Sequence, residues 1–167
     1  AALASDRYRE LHAYSFLGSL MVDVGRPEEA ENWFSRCVEL ATAPEDLDAK
    51  YVALVHWAWS DWDQGRIPES RARLALPLAA AGELDQYYRV LAWALQAELD
   101  LRTGSIAEAR AAGMKALEAW TAELSQESRI RPLLALCRAD LVEGKEEALP
   151  ARLREIQGIL DLPDAVN

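Results

Sequence analysis

The side chains best equipped for chemistry in this sequence are His56, Asp61, Trp62 and Asp63, which lie close together along the chain. An imidazole beside two carboxylates is raw material for general acid–base catalysis, provided that burial or a like charge moves one pKa toward neutrality. Carboxylates are plentiful on any helical surface, however, and none here has the apolar flanks that would raise its pKa. There is no GxxxxGK[ST] or GxGxxG phosphate loop. A GxSxG elbow and an HExxH pair are absent too. His12, His56, Cys37 and Cys137 complete the imidazole and thiol inventory, and their spacing fits no zinc or redox site. The expectation is a protein that is not an enzyme, with no catalytic residue, cofactor or metal. Cys37 and Cys137 read as two buried thiols in a reducing cytoplasm.

A second chemical pattern is periodic. Asp61, Asp100 and Asp140 recur at intervals of 39 and 40 residues, with Met21 in the equivalent earlier place. Ten residues beyond each stand Glu31, Arg71, Arg110 and Pro150. An acid near a helix C-terminus opposes the helix dipole, so its recurrence calls for a nearby cation. The spacing predicts Asp61 paired with Arg71 and Asp100 with Arg110, as structural ion pairs of about 1 kcal/mol or less if exposed.

What must position these groups is helical. The 167 residues contain thirty Ala and twenty-five Leu, 51% hydrophobic residues and 28% charged residues. That excess of strong helix formers over β-branched residues argues against a sheet protein and against disorder. The net charge of −10 disfavours direct nucleic-acid contact, because phosphates need a basic surface. No apolar run is long enough to span a bilayer, and residues 1–10 do not read as a signal peptide. The expected location is cytoplasmic. Fifteen Arg against three Lys, with much Ala, fit a GC-rich bacterial source.

Four segments share one pattern: Gly25-Arg26-Pro27-Glu28-Glu29-Ala30, Gly65-Arg66-Ile67-Pro68-Glu69-Ser70, Gly104-Ser105-Ile106-Ala107-Glu108-Ala109 and Gly144-Lys145-Glu146-Glu147-Ala148-Leu149. Their glycines are 40, 39 and 40 residues apart, the mark of a repeat array. Each unit reads as two helices joined at its glycine, which supplies the positive φ that ends the first helix. Pro27 and Pro68 suit the first turn of the second helix, and the acids after each glycine complement its dipole. Eight helices are predicted at roughly 6–24, 27–42, 46–64, 68–81, 84–103, 105–124, 127–143 and 146–161. Pro77 should end or kink the fourth, and Pro132 obscures the start of the seventh. The units span about 6–43, 46–82, 84–124 and 126–162, and 1–167 reads as a single repeat domain. With no initiator Met, it is expected to be a piece of a longer chain.

Leu17-Gly18, Met21, Gly25, Ala30 and Phe34 place a small residue, a large apolar residue, Gly, Ala and an aromatic at the offsets of the tetratricopeptide (TPR) pattern, which the chain resembles over nearly its whole length. The small position recurs as Gly18, Ala58, Ala97 and Cys137. The period exceeds the family's roughly 34 residues, and Gly113 stands where the aromatic belongs in the third unit. Longer units of this kind resemble the TPR-like sensor regions of large bacterial transcription regulators. The resemblance implies an all-α fold, a right-handed superhelical array of about four helix-turn-helix repeats and about eight helices.

It also implies a binding face, since the first helix of each TPR unit lines a concave groove. The corresponding positions include Ser15, Ser19 and Asp23, then Val52, Val55, Trp59, Trp62 and Asp63. In the third and fourth units they include Ala94, Glu98 and Arg102, then Arg131 and Arg138. Trp59 and Trp62 share one side of a helix, and the arginines make a basic spot in an acidic molecule, a composition typical of interface hot spots. Trp33, Trp57, Trp93 and Trp120 fall at packing positions. Tyr87 and Tyr88 are expected to rim the same surface. Ser15 and Ser19 replace the Lys and Asn of chaperone-tail clamps, which disfavours that partner class.

The expected function is therefore a scaffold that binds a protein or peptide segment, or a neighbouring domain of its own chain, with a small-ligand or sugar-sensing regulator domain as the alternative. Leu149, Leu153, Ile156, Ile159 and Leu160 form an apolar stripe on the last helix that could serve a homodimer.

Overall fold

The computed structural model describes residues 2–161, with side chains from residue 6 onward. It is all-helical, and among the described residues there are eight α-helices and no strand. They are α1 (Ala2–Asp23), α2 (Pro27–Leu40), α3 (Leu47–Asp63), α4 (Ile67–Ala79), α5 (Gln86–Arg102), α6 (Ile106–Ala119), α7 (Ile130–Glu143) and α8 (Leu149–Leu160). Short 3-10 turns at Pro44–Asp46, Gln126–Arg129 and Glu146–Ala148 lead into α3, α7 and α8.

The four glycines build the same turn. Gly25, Gly65, Gly104 and Gly144 have φ of 74°, 76°, 78° and 67°, the left-handed region where a Cβ is strained. In each turn the N–H after the glycine reaches back to the carbonyl of Met21, Asp61, Asp100 or Asp140, at 2.8–2.9 Å. The glycine's own N–H bonds Val22, Trp62, Leu101 or Leu141. This double closure satisfies carbonyls that a helix end would otherwise orphan. Pro27 and Pro68 lie in the first turns of α2 and α4, where a missing N–H costs nothing.

The chain divides into two compact units, residues 1–88 and 89–167. In the first, α1 packs on α2, α3 on α4, and α3 on both α1 and α2. Leu11, Ala30, Phe34, Cys37, Ala41, Ala49 and Ala53 form its central cluster. Gly18 lies directly against Phe34, so close that a Cβ there would sit 2.6 Å from the ring's Cδ1. The Ser70 hydroxyl donates to the Ala58 carbonyl at 2.7 Å, tying α4 to α3. In the second unit Ala97, Ala112 and Ala135 join α5, α6 and α7, and Leu133, Cys137, Ile156 and Ile159 join α7 to α8. Gly113 leaves room that Leu136 occupies, which is how this unit dispenses with an aromatic.

Three helix ends differ from expectation. Pro77 is accommodated two residues before α4 stops at Ala79. Pro132 sits in the first turn of α7, after a 3-10 lead-in, so it starts that helix later than predicted. The sixth helix ends at Ala119 because Trp120 turns extended and donates its Nε1–H to the Ser125 carbonyl. Cys37 and Cys137 are buried free thiols.

Candidate functional site

The predicted binding face is built from the first helix of each hairpin, and its residues divide by depth. Two residues before each glycine, Asp23, Asp63, Arg102 and Val142 are all exposed. Ten residues before it, Ser15, Val55 and Ala94 are buried at 0–1% exposure, and Leu134 is half-buried. That row was expected to line a groove and does not. Helices longer than the TPR pattern assumes place it against neighbouring helices, and its small or β-branched residues fit there. Val52, also assigned to the groove, is buried for the same reason.

Trp59 and Trp62 meet edge to face, with ring centroids 5.6 Å apart. Both are half-buried. Their indole nitrogens are buried, and the part of the pair that stays in solvent is apolar surface on which a ring or an aliphatic chain can pack. Asp63 follows them at the exposed helix end. Trp33, Trp57, Trp93 and Trp120 are likewise half-buried. Trp33 stacks on Tyr14, and three of these rings carry cations: Arg73 over Trp57 at 3.7 Å, Lys115 over Trp93 at 4.2 Å and Arg129 over Trp120 at 4.6 Å.

The second part of the predicted face, on α5 and α7, centres on Glu98. Its carboxylate is buried, and Arg138 donates to it at 2.6 Å while remaining largely exposed. Burial pushes the Glu98 pKa up, and the charges of Arg138, Arg131 and Arg102 oppose that shift. A carboxylate with a burial-raised pKa is thus present, contrary to the sequence expectation. Arg102, Arg131 and Arg138 are all exposed; Arg138 touches the carboxylate, and the other two act on it through their charge, in a chain with a net charge of −10.

Ser19 has a partner that sequence did not anticipate. Its hydroxyl bonds Nδ1 of His56, whose ring lies 6.4 Å from Phe34 and 5.5 Å from Tyr88. Burial pulls the His56 pKa down to about 4, against the pull of Asp23, so the ring is neutral at physiological pH. A base that weak is poorly matched to proton abstraction near neutrality. His56 and Asp61 also face different partners, so the cluster of His56, Asp61, Trp62 and Asp63 is not assembled as one acid–base site. Tyr87 is exposed, while Tyr88 is half-buried against His56.

Two of the three periodic acids, Asp61 and Asp140, are held by cations, through pairings other than the predicted ones. Asp61 is fully buried and is held by Arg66 and Arg73. Asp140 is buried and is held by Arg110 and Arg152. Arg110 therefore reaches forward to the next hairpin, to Asp140 and Glu143, instead of back to Asp100. Asp100 accepts from Gln96 at 2.8 Å. The informative spacing was Asp to Arg at twelve residues, found in Asp61–Arg73 and Asp140–Arg152, not at ten. On an antiparallel hairpin the twelfth residue returns to the level of the first helix's last turn on its inward side.

An open groove of about 490 Å³ lies in the first unit between α2, α3 and α4. Val38, Leu54, Ala72 and Leu76 make it apolar, with Lys50 and Arg73 at its edge. It contains none of the predicted groove residues. Among the described residues no group of His, Cys, Asp and Glu is placed to hold a metal ion, and no helix is long and apolar enough to cross a membrane. Comparison with family models, curated proteins and solved structures gives no match for this chain.

Proposed function

We propose that this chain is a non-catalytic, TPR-like helical-repeat module, its hairpins arranged as a right-handed superhelical array, that holds an acidic protein or peptide segment on the first helices of its hairpins. The observation that carries this reading is the buried carboxylate of Glu98, bonded by Arg138 and under the charges of Arg131 and Arg102. The exposed guanidinium groups of Arg102 and Arg138 stand out in an otherwise acidic chain, and guanidinium groups bind carboxylates in paired, directional contacts. The half-buried Trp59–Trp62 pair is a separate apolar anchor in the first unit, of the kind that dominates interfaces. Ser19, Asp23 and Asp63 are other polar first-helix positions of that unit.

The test is calorimetric titration with a glutamate-rich peptide. Arg102→Gln with Arg138→Gln should weaken binding about tenfold or more, whereas Glu98→Gln should tighten it, because it removes the opposing charge. Equal affinities in all three proteins, or no binding by the wild type, would reject the basic site.

A second reading, an effector-sensing domain of a bacterial transcription regulator, draws on the Trp59–Trp62 pair, since sugar rings favour aromatic platforms flanked by acids such as Asp63. A thermal-shift screen of oligosaccharides at millimolar concentration tests it, and a flat response counts against it.

A further inference from the structure

The hairpins pack on one another through a repeated interface, and both of its halves recur uncovered. In the first unit, Phe34 of α2, nine residues after its glycine, meets Trp57 of α3, eight residues before the next glycine, at a ring-centroid distance of 6.2 Å. In the second unit the same two positions are Gly113 of α6 and Leu136 of α7, and they are again in contact. The rest of the receiving face lies twelve, nine and five residues before the glycine. On α3 these positions are Ala53, His56 and Ser60; on α7 they are Pro132, Ala135 and Ala139. All six are buried except His56, which is half-buried. The α5 equivalents Ala92, Leu95 and Leu99 are also buried.

On α1 the same positions are Ala13, Phe16 and Leu20, and all three are exposed, Phe16 by 57% and Leu20 by 50%. The donating face shows the converse. Nine residues after the glycine, Phe34, Leu74 and Gly113 are buried, whereas Leu153 of α8 is 53% exposed. Sixteen residues after it, Ala41 is buried and Ala81 and Trp120 are half-buried, whereas Leu160 of α8 is 61% exposed. The uncovered residues are larger and more apolar than surface positions need, and each face is the complement of the other by the rule that the internal hairpins obey.

We propose that α8 of one copy docks on α1 of a second copy, with Leu153 against Phe16 and Leu17 and with Leu160 beside them, so that copies join head to tail. The contact is heterologous, and it therefore grows into open chains unless the rotation closes a ring. It involves neither Glu98 nor the arginines around it, so it stands or falls separately from the peptide site.

Sedimentation velocity over a dilution series tests it. The wild-type average mass should rise past the dimer as concentration increases. Phe16→Arg with Leu20→Arg, and separately Leu153→Arg with Leu160→Arg, should each weaken association about tenfold or more while circular dichroism stays helical. An equimolar mixture of the two variants should form a dimer that grows no further, because one intact face of each kind remains. If an arginine pair unfolds the chain, the milder glutamine pairs should give the same pattern. A wild type that stays monomeric overturns the proposal. So does a dimer abolished by the α8 substitutions alone, with no recovery in the mixture, since that is a symmetric contact between two α8 helices.

Discussion

Asp61 shows how much a single buried charge asks of its surroundings. It has no exposed surface and is held by Arg66 and Arg73, each of which keeps part of its own surface in water. Removing the carboxylate leaves the two guanidinium groups to the longer contacts with the partly exposed Glu31, at 3.4 and 3.6 Å, for counter-charge. Asp61→Ala should therefore lower unfolding stability by about 3 kcal/mol, read by urea denaturation; a loss below about 1 kcal/mol would place the pair among weak surface contacts. His56 makes a second residue-level prediction. Its folded pKa, near 4, lies below the ordinary value of 6.5, so the unfolded chain binds the proton more readily. The neutral ring's contribution is complete above about pH 6.5 and is lost as pH falls toward 4. His56→Gln should flatten that part of the stability–pH curve by about 3 kcal/mol. An unchanged slope would mean that the ring is as well solvated folded as unfolded. Sequence reasoning found the periodic acids but chose Arg71 and Arg110 as partners, because it counted along the chain without knowing which side of the second helix faces inward. The His56–Ser19 contact joins α1 to α3 and leaves no signature at fixed spacing.

At the scale of elements, the glycines separate conformational need from steric need. Gly25, Gly65, Gly104 and Gly144 have open space around them and positive φ, so Ala at any one should cost about 1 kcal/mol through the backbone alone. Gly18 has no such φ but abuts Phe34, and Gly18→Ala should cost about 1–3 kcal/mol by overpacking. Gly158, in α8 with nothing near its missing Cβ, should behave oppositely, with Gly158→Ala stabilising by about 0.5–1 kcal/mol. Thermal melts of the three kinds of variant check the order; a harmless Gly18→Ala would mean that α1 and α2 do not approach as closely as described. These elements were legible beforehand because Gly, Pro and first-turn acids act locally. Helix ends set by tertiary contact were not: Trp120 leaves its helix to bond Ser125, a preference no propensity scale encodes.

At the scale of the molecule, the four-fold repeat was visible in sequence, and each hairpin closes with the same turn. The depth of the predicted binding face was not, because an offset borrowed from shorter units misplaces the row ten residues before each glycine. What remains of that face is a half-buried indole pair in one unit and, in the other, a carboxylate bonded by Arg138 and under the charges of Arg131 and Arg102. Binding there should weaken with salt, since the guanidinium groups are exposed and screened. The most direct test of the account is amide chemical-shift mapping of the intact chain during titration with a glutamate-rich peptide. The account predicts shifts concentrated on α5 and α7 near Glu98, Arg102 and Arg138, reduced in Arg102→Gln with Arg138→Gln. Shifts confined to the α2–α4 groove, or none at any peptide concentration, would contradict it.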